Sequence, residues 1–155
     1  MKRYRLYIST ITILLVVIAM FSGCGKEKVQ SITKESAIKL SSDLLENGKF
    51  DSKLSEVNLD VAANLYKINS DKIKVLQAYM GDGASAEEIV VLEGDYESIK
   101  ELVETYLDEK EDTYSSYLPL EAEKINNAVC KQFGNYTIVC ISADSESAEK
   151  ILSNK

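Results

Sequence analysis

The sequence predicts an α+β domain: a four-stranded antiparallel sheet built from two β-β-α units, with helices packed on one face and further helices preceding it. Two observations carry this. Apolar runs of strand length come in two pairs, each pair joined by turn-forming residues and followed by an aspartate that opens an amphipathic helix. The two units also correspond residue by residue. Val90-Val91-Leu92-Glu93-Gly94-Asp95-Tyr96-Glu97-Ser98 lies over Val139-Cys140-Ile141-Ser142-Ala143-Asp144-Ser145-Glu146-Ser147, and Leu102-Val103 over Ile151-Leu152. Helix capping recruits Asp and early Glu at any helix start, so duplication and shared capping chemistry both explain the likeness.

Residues 33–46 read as a helix with Thr33 as N-cap. Ala37, Leu40 and Leu44 recur at helical spacing, Ile38 and Leu45 widen the stripe, and Asn47-Gly48 stops it. Residues 50–56 read as a connector, and Asn58 caps a short helix holding Val61, Leu65 and Tyr66. Residues 72–80 alternate as a strand, with Ile73, Val75 and Tyr79 on one face and Leu76, Ala78 and Met80 on the other. A turn-rich loop follows at 81–86. Residues 87–93 form a second strand, in which Ile89-Val90-Val91-Leu92 is apolar on both faces. Asp95 caps a long helix using Ile99, Leu102, Val103 and Tyr106 and running to about Thr113. Pro119 suits the first turn of a short helix. Residues 128–133 and 136–142 are the last two strands, with Gly134-Asn135 between them, and Asp144 caps a final helix carrying Ala148, Ile151 and Leu152.

The chain begins with Lys2, Arg3 and Arg5, an uncharged and mostly apolar run from Tyr7 to Met20, and then Phe21-Ser22-Gly23-Cys24. This is the order of a secretory signal ending in a lipobox-like sequence. It divides the chain into a signal peptide at 1–23, a lipidated Cys24 with a polar tether at 24–31, and one domain at 32–155. Two other readings stand beside it. Ordinary signal cleavage would leave Cys24 an unmodified thiol. A retained anchor would need roughly 20 apolar residues, and the run offers about fourteen. Two acyl chains on one cysteine anchor stably where a single chain is marginal.

The leader carries three basic and no acidic residues, so its removal takes the formal net charge from −7 to about −10. Such a surface repels nucleic acid and anionic headgroups. Histidine is absent, which excludes histidine-based general bases, catalytic triads and histidine metal sites. No catalytic constellation is found, no cofactor is implied, and the chain reads as non-enzymatic.

The best candidate site is the 81–88 loop. Gly81 and Gly83 permit unusual backbone angles or close approach of a ligand. Ser85 adds a hydroxyl, and Asp82, Glu87 and Glu88 offer hard oxygens of the kind calcium takes. The spacing is not that of an EF-hand, and Glu87 and Glu88 point to opposite strand faces. The bland alternative is a hairpin loop with acids at a strand entrance. Tyr106, Tyr114 and Tyr117 read as cover for a sheet edge rather than a binding surface. For Cys130 and Cys140, register decides. A two-residue turn at Gly134-Asn135 pairs Cys130 with Val139 and leaves two buried free thiols, the preferred reading. A three-residue loop would face Cys130 to Cys140 and allow a disulfide.

Three stretches together resemble a known family: Leu45-Glu46-Asn47-Gly48-Lys49-Phe50, then Tyr79-Met80-Gly81-Asp82-Gly83-Ala84-Ser85-Ala86-Glu87-Glu88-Ile89, and Lys131-Gln132-Phe133-Gly134-Asn135-Tyr136. The family is the set of small Gram-positive lipoproteins catalogued as domain of unknown function 4358. The resemblance implies an extracytoplasmic lipoprotein and brings no activity or functional residue with it. The expected function is therefore a binding or accessory module on the outer cell membrane, held by lipid at Cys24, with a surface protein or cell-wall polymer as partner. The alternative is a surface solute- or metal-binding lipoprotein using the 81–88 loop.

Overall fold

Ile89-Val90-Val91-Leu92 is apolar on both faces, and the fold covers both. The computed structural model describes residues 30–154; the leader, Cys24 and most of the tether lie outside them. Five antiparallel strands form one sheet in the order β1-β2-β3-β5-β4. They are β1 (Ser55–Glu56), β2 (Lys74–Met80), β3 (Glu88–Glu93), β4 (Val129–Phe133) and β5 (Tyr136–Ile141). The helices are α1 (Lys34–Asn47), α2 (Leu59–Leu65), α3 (Tyr96–Ser115), α4 (Pro119–Asn126) and α5 (Ser145–Ser153). No helix among the described residues is long and apolar enough to cross a membrane.

Four side-chain caps fall where the sequence places them. Thr33, Asn58, Asp95 and Asp144 each accept a hydrogen bond from a backbone N–H two or three residues on. The bonds hold the carboxyls of Asp95 and Asp144 below their ordinary range. α4 has no side-chain cap and starts on Pro119.

Three expectations about the sheet need correction. The first is strand number: β1, inside the stretch read as a connector, adds a fifth strand. It pairs Ser55 with Met80 and Glu56 with Tyr79. Two exposed residues carry no periodicity, but they cover the open edge of β2. The second concerns facing. β2 carries a bulge at Leu76, since Val75 pairs with Leu92 and Gln77 with Val91. The extra residue inverts the alternation beyond it. Ile73, Val75 and Ala78 thus share one face, while Leu76 and Tyr79 lie on the other.

The third is the placement of the helices, which divide between the two faces. On one side Ala37, Leu40 and Leu44 of α1 and Ala148 and Leu152 of α5 pack on Ile89, Val91, Ile138 and Cys140. On the other, Ala62 of α2 and Ile99 and Val103 of α3 pack with Tyr66 on Val90, Leu92 and Val139. The two β-β-α units therefore send corresponding helices to opposite faces. A two-fold axis through the sheet would keep both on one face, so the sequence correspondence does not extend to structural symmetry.

The β4–β5 connection is the two-residue turn, with Phe133 paired to Tyr136 and Cys130 to Val139. Gly134 has φ +64, a backbone conformation that costs glycine least. Both cysteines are free. Cys130 is exposed rather than buried as expected, because it points to the face of edge strand β4 opposite the one that buries Val129 and Phe133; Cys140 is buried. Burial pushes the Cys140 thiol up to about 12, against a smaller downward pull from Ser142. Maleimide is expected to modify Cys130 in the native domain and Cys140 only after denaturation, as counted by mass spectrometry. A two-dalton loss with no adduct would contradict this register.

Candidate functional site

Two adjacent carboxylates stand at the start of β3, Glu87 just before the strand and Glu88 as its first residue, and they turn to opposite sides. Glu87 and Glu88 are each 1% exposed. A charge so deeply buried persists only when paired and hydrogen-bonded, and both are.

Glu88 points to the α2–α3 side. Tyr66 donates to its Oε1 at 2.7 Å, and Tyr106 and Lys110 donate to its Oε2 at 2.8 and 2.7 Å. Tyr66 follows α2, while Tyr106 and Lys110 sit one turn apart on α3. The two tyrosine rings stack at 3.9 Å between centroids. Lys110 Nζ also lies 5.3 Å from the Tyr106 ring centre and 3.1 Å from its hydroxyl. Burial, then the charge of Glu88, pushes both phenols well above their usual range, so each remains a donor.

Glu87 points to the other side and organises a different set. The backbone N–H groups of Asp51 and Ser52 donate to it at 2.9 and 2.8 Å, and the Ser52 hydroxyl at 2.8 Å. Lys124 of α4 reaches it at 3.2 Å and also meets Asp51 and Glu121. Burial by itself raises the Glu87 carboxyl. The donors, led by the Asp51 and Ser52 amides, outweigh it and hold the group below its ordinary range. Burial lowers the Lys124 ammonium, but its bonds to Glu121, Asp51 and Glu87 hold it above the usual lysine range.

The loop between β2 and β3 is tied down from several directions. Gly81 N–H donates to Glu87 O, and Ser85 N–H to Asp82 O. Tyr114 of α3 donates to Ser85 O at 3.0 Å, and Glu121 of α4 accepts from Ala86 N–H at 2.7 Å. Gly81 is required by close approach, since a β-carbon there would come within 2.7 Å of Ser52 Oγ and 2.8 Å of Ser85 Cβ. Gly83 faces open space, and nothing in the structure explains its being glycine. Neither has positive φ, so the unusual backbone angles expected of them are not used.

All six candidate residues, Gly81, Asp82, Gly83, Ser85, Glu87 and Glu88, line one open cleft of about 420 Å³. Its other wall is α3, through Tyr106, Lys110, Thr113 and Tyr114, with Leu65 and Met80 as the apolar margin. A neighbouring hollow of about 340 Å³ shares Leu65, Tyr106 and Glu109 with it. The Lys67–Glu109 ion pair at 2.6 Å crosses that shared wall.

The oxygens of Glu87 and Glu88 are thus engaged by protein donors, and no group of three His, Cys, Asp or Glu side chains among the described residues is disposed to hold a metal. Sequence reasoning missed Tyr66, Lys110, Lys124 and Glu121 and misplaced two of the tyrosines. Tyr106 lies on Glu88 rather than over a sheet edge, and Tyr114 pins the loop; Tyr117 is exposed. One signal was available: Glu88 opens a strand apolar on both faces and so demands buried partners. Tyr106 and Lys110, one turn apart on a helix, are suitable ones.

No curated protein and no solved structure matches the chain. The family model described as domain of unknown function DUF4358 matches residues 46–142, which include both carboxylates and the partners described above, and the chain belongs to that family.

Proposed function

We propose that the chain is an extracytoplasmic lipoprotein, anchored through Cys24, that serves as a non-enzymatic binding or accessory module at the cell surface. Its ligand or partner is taken in the cleft at the 81–88 loop. The observation that carries this reading is the cleft itself. A wall of about 420 Å³ is fixed from beneath by Glu87 and Glu88, so recognition there costs little reorganisation. Cleft carboxylates spent on internal bonds favour binding over hydrolysis. Affinity purification from mildly crosslinked native membranes tests it, with Gly83→Trp filling the cleft and Cys24→Ser removing the lipid. A partner lost with Gly83→Trp supports the reading, whereas a partner retained by that variant, or none at all, overturns it.

The size of the cleft also favours a second reading, a surface solute-binding protein using the same loop. Calorimetry with a metabolite panel and with calcium separates the two. Heat abolished by Gly83→Trp supports the solute reading, and silence at millimolar ligand removes it.

A further inference from the structure

The two ends of the sheet differ in what they hold. At one end lies the Gly134-Asn135 turn. Ser31 rests against it, since a β-carbon on Gly134 would come within 3.0 Å of Ser31 Oγ. Gly94, just past β3, donates its N–H to Asn135 O at the same end. The chain therefore leaves the domain toward Cys24 from the turn end.

The cleft is at the other end. β3 runs from Glu88, opposite Ile141, to Glu93, opposite Tyr136. Its six residues separate the cleft from the turn by about 20 Å at roughly 3.4 Å each. α1 covers the same distance. Its 14 residues span about 21 Å, from the Ser31 end to the segment whose amides hold Glu87.

We infer that the domain stands on the bilayer with the Gly134-Asn135 turn toward the lipid and the cleft facing away. Ligands would then reach the cleft from the extracytoplasmic side rather than from within the membrane. The inference rests on anchoring through Cys24. Six residues lead from Cys24 to Gln30, with a covalent reach of about 21 Å. An inverted domain would place its exit about 20 Å above the lipid and draw that tether to its limit.

The most exposed large apolar side chains also lie away from the turn. Tyr117 is 66% and Leu120 74% exposed, and both lie at the cleft end. Tyr117 donates its N–H to the carbonyl of Tyr114, whose hydroxyl holds Ser85. Leu120 precedes Glu121, which holds Ala86. Facing away from lipid, they are open to a partner.

The test uses the lipidated full chain in phosphatidylcholine vesicles carrying an energy acceptor on a fraction of the headgroups. A donor dye is placed at Gly83→Cys or at Asn135→Cys, each with Cys130→Ser; Cys140 stays buried and unlabelled. Transfer several-fold stronger from position 135 than from position 83 is expected. Vesicle-bound protein with equal or reversed transfer overturns the orientation alone. Protein left behind when the vesicles are floated overturns the anchoring and the orientation together.

Discussion

Glu88→Ala is expected to destabilise the domain by about 3–5 kcal/mol, the usual cost of stripping a buried charge of its partner. Without the carboxylate, Lys110 loses its counter-ion, with its side chain only 13% exposed, and the Tyr66 and Tyr106 hydroxyls lose their acceptor. A urea titration shows this as a fall in midpoint at unchanged slope. Tyr66→Phe removes one charge-assisted bond and keeps the ring stack, so about 1.5–3 kcal/mol is expected. A loss below about 1 kcal/mol for Glu88→Ala would mean that water replaces the carboxylate, and that the floor of the cleft is wetter than its geometry implies.

Glu87→Ala is expected to cost a similar amount by another route. It strands the Asp51 and Ser52 amides and removes one bond each from the Ser52 hydroxyl and Lys124. Two of these are backbone donors in a connector, so that connector should loosen with them. Acid carries the same signature. Because the folded-state carboxyl lies below its ordinary 4.5, its contribution is complete above that value and lost as pH falls through the lower folded one. Glu87→Gln removes the titration but sets an amide N–H₂ against donors, so it should lower stability at neutral pH and flatten the acid limb. Equal acid limbs in the two proteins would place the acid sensitivity elsewhere.

Helices were legible in this chain because their ends are written locally. Thr33, Asn58, Asp95 and Asp144 are short side chains that bond the backbone within three residues, so their role is readable without knowing the fold. The sheet was less legible because its decisive features are not local. The bulge at Leu76 leaves no mark in the alternation before it, and β1 is too short for any period. The dual-faced run 89–92 was visible, and it already argued that both sides of the sheet must be covered. It could not say which helix takes which side, because Ile99 and Val103 of α3 match Ala148 and Leu152 of α5 position for position. The candidate loop was found from its glycines and acids. The partners of its carboxylates were not, because Asp51, Ser52, Tyr66, Tyr106, Lys110 and Lys124 lie far from Glu87 and Glu88 in the chain.

Glu87 and Glu88 are joined by a single peptide bond and hold different sets of elements. One clasps the connector after α1 and the lysine of α4; the other clasps α2 and α3. The dipeptide therefore works as a rivet, fastening both sets at one point of the chain. A force on the adjoining loop pulls on both sets at once.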